Sequence, residues 1–341
     1  MINQVYRLVS PRQFEITYQD SSLQTDMIVV RPTHLSICNA DQRYYTGSRS
    51  KEILAKKLPM ALIHEGIGKV VYDPKGEFTL GTRVVMVPNI PAEADEFIAE
   101  NYMQTSKFRS SGYDGYMQDY IFINRDRLVE VPEDINPHVA AFTELITIAM
   151  HSLTRFEARS HKRRNTFGVW GDGNLGFIMC LLLKKKYPES KVFSFGKTKY
   201  KMDRFSFVDE SHQIEEIPEY ILIDHAFECV GGVGSQFAIN QAIDHIVPEG
   251  TISILGVSEY PVEVNTRMLL EKGITMIGSS RSGRADFENT VGFIKANPDV
   301  LDYFATLIGG VQNVTSIQDI IEAFEKDLVS SWGKTIIEWN I

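Results

Sequence analysis

Two rhythms of apolar and polar positions divide the chain. Over residues 1 to about 90, short β-rich runs such as Met27–Arg31 and Lys69–Tyr72 alternate with turns, and little recurs at helical spacing. Gly81–Pro88 reads as a further strand, entered through glycine and closed by proline. Residues 89–111 are polar and irregular, a long loop or lobe, and Gly112–Gly115 turns into another strand over Tyr116–Ile123. Asn136–His151 carries apolar residues at helical spacing, with Asn136 before Pro137 as its cap. The basic run His161–Arg164 reads as a solvated link.

From Thr166 the rhythm changes to alternating β and α. Strands are predicted at Thr166–Trp170, Lys191–Phe195, Ala226–Val230, Thr251–Leu255 and Ile274–Gly278, with helices such as Phe177–Lys186 and Gly234–Ile246 between them. That alternation implies a parallel sheet with right-handed crossovers. Ala285–Ala296 and Ser316–Lys326 read as helices, and Lys334–Trp339 as a closing strand. The fold class is therefore α/β: a β-rich domain over 1–149 and 281–341, interrupted by a doubly wound domain over 150–280.

Composition changes this picture little. At 341 residues and 43% apolar content the chain has material for two cores. No apolar run is long enough to span a membrane, and Met1–Pro11 lacks the basic start and apolar core of a leader. Cys38, Cys180 and Cys229 are odd in number and far apart, which argues for a reducing cytoplasm over a disulfide framework. Cys180 and Cys229 read as small buried apolar residues. A net charge of −9 speaks against nucleic acid and anionic membranes as partners, so an anionic small molecule would need a local basic pocket.

Candidate chemistry starts at Phe167–Gly176, where an apolar strand breaks at Gly171-Asp-Gly-Asn-Leu-Gly176 and runs on into a helix. In a dinucleotide fold Gly171 makes the turn, Gly173 admits the pyrophosphate and Gly176 lets the helix approach the strand. Asn174 and Leu175 begin the helix, whose N-terminus attracts phosphate. The second strand lacks the acid that would bind the ribose of NAD. It ends in Gly196-Lys197-Thr198-Lys199, which suits a 2′-phosphate and predicts NADPH. Val230 and Gly231 would line the same sheet edge.

In the β-rich half, Cys38, His64, Glu65 and Glu144 offer a thiolate, an imidazole and carboxylates, a reasonable zinc set that spacing alone does not single out. Their order decides. Cys38-Asn-Ala-Asp41, His64-Glu-Gly-Ile-Gly68, Gly112–Tyr120, Ala140-Ala-Phe-Thr-Glu-Leu145 and the turn at Gly171 together resemble the zinc-dependent medium-chain alcohol dehydrogenase family over nearly the whole chain. The resemblance implies a GroES-like catalytic domain with one catalytic zinc, and a Rossmann domain closing a cleft over it. Cys38 and His64 fall on ligand positions, Glu65 on the adjacent carboxylate, and Glu144 where alcohol dehydrogenases proper carry a second cysteine. Because Glu65 and Glu144 can exchange as ligands in the polyol branch, four candidates stand for three bonds. No cysteine occupies 89–111, so the family's structural zinc is not expected, and Ala40 stands where a proton-relay hydroxyl often lies. Proton delivery would then run through water, with Glu65, Glu144 or Tyr44 nearby.

Within the family, Cys38–Gly47, the His64 run, Glu144 and the lysines after the second strand resemble the ribulose-5-phosphate reductases of teichoic-acid and capsule synthesis. That implies NADPH-linked reduction of D-ribulose 5-phosphate to D-ribitol 5-phosphate, with a cytidylyltransferase as a candidate partner. It also implies a homodimer or tetramer, with Ile274–Gly278 as a candidate edge strand. Arg43 is the first candidate for the substrate phosphate, and Lys107, Arg109 and Arg281 are weaker ones. The alternatives are an NAD-dependent polyol dehydrogenase and a metal-free quinone-oxidoreductase-like or crystallin-like binding protein.

Overall fold

The computed structural model describes residues 2–23 and 26–341, so Met1 of the segment read for a leader lies outside the described residues. The chain forms two compact units, Met1–Leu145 with Ser282–Ile341, and Ile146–Arg281.

In the first unit the central strand Met27–Ser36 pairs antiparallel with Glu65–Tyr72 on one side and with the C-terminal strand Lys334–Trp339 on the other. The C-terminal strand is flanked on its far side by Ile308–Val314, in parallel. A smaller sheet sets Ile2–Ser10 between Gln13–Asp20 and Met60–Ala61. One apolar core joins them, with Tyr6, Tyr45, Tyr116, Phe324 and Trp339 among its large side chains.

Two short helices break the expectation of an all-β start: Asn39–Tyr45 and Lys51–Lys57. The first buries Asp41 and Gln42 beside Tyr44 and Tyr45, so its inward face is half polar and leaves no apolar stripe to read. The second buries nothing and rests on its Ser50 cap, whose hydroxyl accepts from the Ile53 N–H at 3.3 Å. The strand expected over Tyr116–Ile123 is confined to Ile121–Asn124. Its first half runs too close to 61–63 for a regular ladder: Gly115 N–H donates to the Ala61 carbonyl at 2.8 Å, and a Cβ on Gly115 would collide with the carbonyls of Leu62 and Ile63. The helix expected over Asn136–His151 is two helices, Pro137–Ala140 and Thr143–Arg159. Asn136 caps the first through the His138 N–H at 2.9 Å, and Thr143 turns its hydroxyl back to the Ala140 carbonyl at 2.8 Å.

The second unit is a six-stranded parallel sheet in the order Glu210–Gln213, Lys191–Gly196, Thr166–Trp170, Ile223–Glu228, Ile246–Ile254, Thr275–Gly278. Strand order reverses between Thr166–Trp170 and Ile223–Glu228, the switch point beside which dinucleotides bind. The run His161–Arg164 is not a solvated link. Arg163 Nε pairs with Asp224 at 2.6 Å, the Arg164 guanidinium lies over Phe156 and Tyr187, and the His161 ring sits 4.3 Å from that of His225.

Candidate active site

The candidate metal centre lies where three pieces of the first unit's backbone end. Cys38 follows strand Met27–Ser36 as the N-cap of Asn39–Tyr45, and Ile37 N–H donates to the Thr335 carbonyl of the C-terminal strand. His64 and Glu65 stand at the head of strand Glu65–Tyr72. One donor atom each from Cys38, His64 and Glu65 lies within 4.8 Å of the other two, with Cys38 Sγ 3.7 Å from His64 Nε2. Glu144 is outside that trio of atoms. It is buried in the first turn of Thr143–Arg159, where it feels the charges of His64, Glu65, Lys334 and Asp41.

Asp41 holds the pieces together. Its Oδ2 accepts from the Cys38 N–H at 3.2 Å and from the thiol at 3.0 Å, while its Oδ1 accepts from the Ile63 N–H at 3.0 Å and the Ser110 hydroxyl at 2.7 Å. Ile63 needs the help: at φ 67° it is a β-branched residue in left-handed backbone, immediately before His64. The Tyr116 N–H holds its carbonyl from the other side at 2.7 Å.

Lys334, absent from the expected site, is buried and donates to Glu65 Oε1 at 2.8 Å. Nothing in the sequence marks it, because the first residue of a terminal strand usually faces water; here that strand is inserted between two others. Burial works against its charge, but Glu65 and Cys38 hold it protonated, above the ordinary lysine value. Burial pushes Glu65 up, opposed by Lys334 and His64, and pushes Glu144 up to about 7. Burial, then the charges of Asp41 and Glu65, drive the Cys38 thiol well above its usual range. So many buried acids around one lysine lack positive charge, and Glu65 Oε2 and His64 Nδ1 are buried with no hydrogen-bond partner among the described residues. A divalent cation at the Cys38, His64 and Glu65 donor atoms would supply the missing positive charge, give Glu65 a partner and turn the thiol into a thiolate ligand.

Of the phosphate candidates, Arg43 is half-buried on helix Asn39–Tyr45. Arg109 is instead a structural brace: buried, it donates to the carbonyls of Asp114 at 3.2 Å and Phe122 at 3.1 Å between the rings of Tyr113 and Tyr116. Lys107 is exposed beside Tyr113, and Arg281 is half-buried at φ 59°. Tyr44 is buried beneath the Arg49 guanidinium.

In the second unit the turn at Gly171 has φ 133°, and a Cβ on Gly176 would strike the Gly171 carbonyl, so only glycine lets helix Asn174–Lys186 start there. Gly173 caps that helix without a side chain, and a Cβ there would meet only open space, so the approach to the helix N-terminus at Asn174 and Leu175 is not crowded at that glycine. The strand Lys191–Gly196 ends without an acid, and Lys197 and Lys199 are exposed, with Thr198 half-buried between them. Asp172, inside the glycine turn, was not singled out by sequence. Its Oδ2 accepts from the N–H groups of Lys197 at 3.0 Å and Thr198 at 2.6 Å and so shapes that loop. Glu228, also unforeseen, is buried and accepts from the N–H groups of Val230, Gly231 and Gly256. It holds the Val230–Gly231 turn at the carboxyl edge of the sheet.

Two family models match the chain: the alcohol dehydrogenase GroES-like domain over residues 24–133 and the zinc-binding dehydrogenase domain over 200–296. A ribulose-5-phosphate reductase of Bacillus spizizenii is 70% identical over 341 residues, with all of both chains covered. The chain belongs to the zinc-dependent medium-chain dehydrogenase family. Ribulose-5-phosphate reductase 1 of Staphylococcus aureus is 58% identical over 339 residues, 99% of either chain. The crystal structure of S. aureus TarJ in complex with NADPH superposes with a TM-score of 0.90 at 53% identity, covering all of both chains.

Proposed function

We propose that this enzyme reduces D-ribulose 5-phosphate to D-ribitol 5-phosphate with NADPH at a single zinc centre. The observation that carries the reading is the 70% identity, end to end, with a ribulose-5-phosphate reductase, beside a largely buried Cys38–His64–Glu65 cluster of zinc-binding chemistry. Cys38 and His64 would hold the metal together with Glu65 or Glu144. When bound, zinc supplies a Lewis acid for the C2 carbonyl and NADPH the hydride. This chain's own part is to position and to balance charge. Asp41 fixes the cysteine against the His64 segment, and Lys334 neutralises Glu65. Where Glu144 is not a ligand, its carboxyl, buried beside His64 and Glu65, is a candidate to pass on the proton that the product hydroxyl requires.

Lys197, Thr198 and Lys199 would receive the 2′-phosphate of the cofactor, and Arg43 the phosphate of the substrate. If Arg43 does so, Arg43→Ala loses activity on D-ribulose 5-phosphate far more than on unphosphorylated D-ribulose. Equal loss on both assigns it another role. In this reading the enzyme works in the cytoplasm, which its three free thiols suit. Among the described residues no helix is long and apolar enough to cross a membrane. The product would feed a cytidylyltransferase on the way to a ribitol-containing wall polymer or capsule, and the enzyme would act as a homodimer or tetramer. The deciding experiment is the rate of NADPH oxidation by zinc-replete enzyme with D-ribulose 5-phosphate, D-ribulose and D-xylulose 5-phosphate, repeated with NADH. Turnover confined to the first sugar and to NADPH supports the proposal; preference for an unphosphorylated polyol or for NADH overturns it.

A further inference from the structure

A second group of metal-binding side chains lies in the first unit, apart from the Cys38 cluster. His34 on strand Met27–Ser36 and Glu338 on strand Lys334–Trp339 are direct partners in the antiparallel register, so both side chains leave the sheet on one side. His138 reaches them from the short helix Pro137–Ala140, whose first turn Asn136 caps. His138 Nε2 is 2.8 Å from Glu338 Oε1, and the His34 and His138 rings stand 5.3 Å apart at 66°. One donor atom from each of the three residues lies within 4.8 Å of the other two, and all three residues are half-buried. Glu338 stands four residues beyond Lys334 on the same strand, roughly 13 Å at 3.3 Å per residue, so the two clusters are separate.

We propose that His34, His138 and Glu338 form a second transition-metal site, selective for Zn²⁺ and its neighbours over Mg²⁺ and Ca²⁺. Two imidazoles and one carboxylate are a donor set that suits zinc, leaving a fourth position for water, whereas the hard alkaline-earth ions demand oxygen ligands. Bond lengths of about 2.0–2.1 Å put tetrahedral ligands about 3.3 Å apart. The His138–Glu338 pair is already closer than that, so His34 is the ligand that must close in. His34 Nδ1 is buried without a hydrogen-bond partner among the described residues, a deficit that a metal bond at that atom would repair. The charged neighbours are Glu338, which favours a cation, and Arg83, which opposes it. Arg83 is itself drawn toward the Pro132 carbonyl and Glu133, which limits its effect. The ion would link the strand leading to Cys38, the strand bearing Lys334 and the helix preceding Glu144, so its binding should stabilise the frame of the active site.

Metal content and thermal unfolding of the full-length protein test this without reading activity. After equilibration with buffered zinc, the wild type should retain about two equivalents per chain, Cys38→Ser about one, and His138→Gln about one. With Co²⁺, the near-ultraviolet thiolate charge-transfer band should vanish in Cys38→Ser while weak visible bands persist; those bands should be lost when Cys38→Ser is combined with His138→Gln or with Glu338→Gln. Zinc added beyond the first equivalent should raise the Tm of the wild type but not of His138→Gln or Glu338→Gln. The proposal is overturned if Cys38→Ser binds no metal. It is equally overturned if His138→Gln and Glu338→Gln both keep the wild-type stoichiometry.

Discussion

Buried charge governs this protein residue by residue, and the pair Lys334–Glu65 is the sharpest case. Both groups are out of water, so removing one partner leaves the other uncompensated, at a cost of about 3–5 kcal/mol. Lys334→Met should lower the urea-unfolding stability of metal-free protein by that order. The loss should shrink once zinc is bound, because Glu65 then has a second cation to face. A second case is His225, which donates through Nε2 to the Arg163 carbonyl at 2.9 Å and accepts at Nδ1 from the Thr251 N–H at 3.3 Å, a pattern that only the neutral ring satisfies. Burial, then His161, lower its pKa to about 4. The unfolded chain takes up this proton near the ordinary value of about 6.5, so stability falls as pH drops from there toward 4. Thermal unfolding across that window should fall less steeply for His225→Gln than for the wild type, even if the variant starts lower. A parallel slope would mean that other groups carry the acid sensitivity.

Elements here are joined by acids placed on backbone N–H groups. Glu100 does this for the cysteine-free lobe: its Oε1 accepts from Arg127 Nη1 at 2.8 Å and from the N–H of Arg284, the first residue of helix Arg284–Ala296, at 2.6 Å. An anion at a helix N-terminus is stabilised by the dipole. An ion pair, a helix cap and the two-stranded ladder Asn89–Ile90 with Lys107–Phe108 thus hold this lobe. Asp172 plays the corresponding part in the cofactor unit, where it sets the loop that presents Lys197 and Lys199. Hydrogen bonds to a charged group contribute about 1.5–3 kcal/mol. Lys197→Ala with Lys199→Ala should therefore raise the KM for NADPH about tenfold or more while leaving that for NADH nearly unchanged. Asp172→Ala should weaken NADPH binding by loosening the loop without removing a cation. Equal effects on both cofactors would count against a 2′-phosphate role for the lysines.

At the scale of the whole molecule, the last strand matters most. Lys334–Trp339 enters the sheet between Met27–Ser36 and Ile308–Val314, supplies Lys334 to Glu65, and buries Trp339 with its indole N–H on the Gln118 carbonyl at 3.1 Å. A chain ended at Gly333 should fail to fold its catalytic unit, seen as loss of the cooperative unfolding transition and of bound zinc. Native-like unfolding of that chain would show the strand to be dispensable. What could be read in advance shares a cause: short range. The glycine turn from Gly171 to Gly176, the alternation of strand and helix past Thr166 and the closing strand Lys334–Trp339 each express local backbone physics, while Cys38, His64, Glu65 and Glu144 were named as candidate donors from residue type and from the family resemblance that the order of the motifs carries. Helix Asn39–Tyr45 stayed hidden because its buried face is half polar, and the strand at Tyr116 was misread because close packing on 61–63 overrides its β-rich composition. Lys334, Asp41, Asp172 and Glu228 acquire their roles only through contacts across the fold, Lys334 with a partner 269 positions away. Local pattern by itself determined which chemistries the chain carries and where its strands and helices recur. Tertiary structure alone decided which charges would be buried together, since the cost of burying a charge, and therefore its role, depends on neighbours that no local stretch contains.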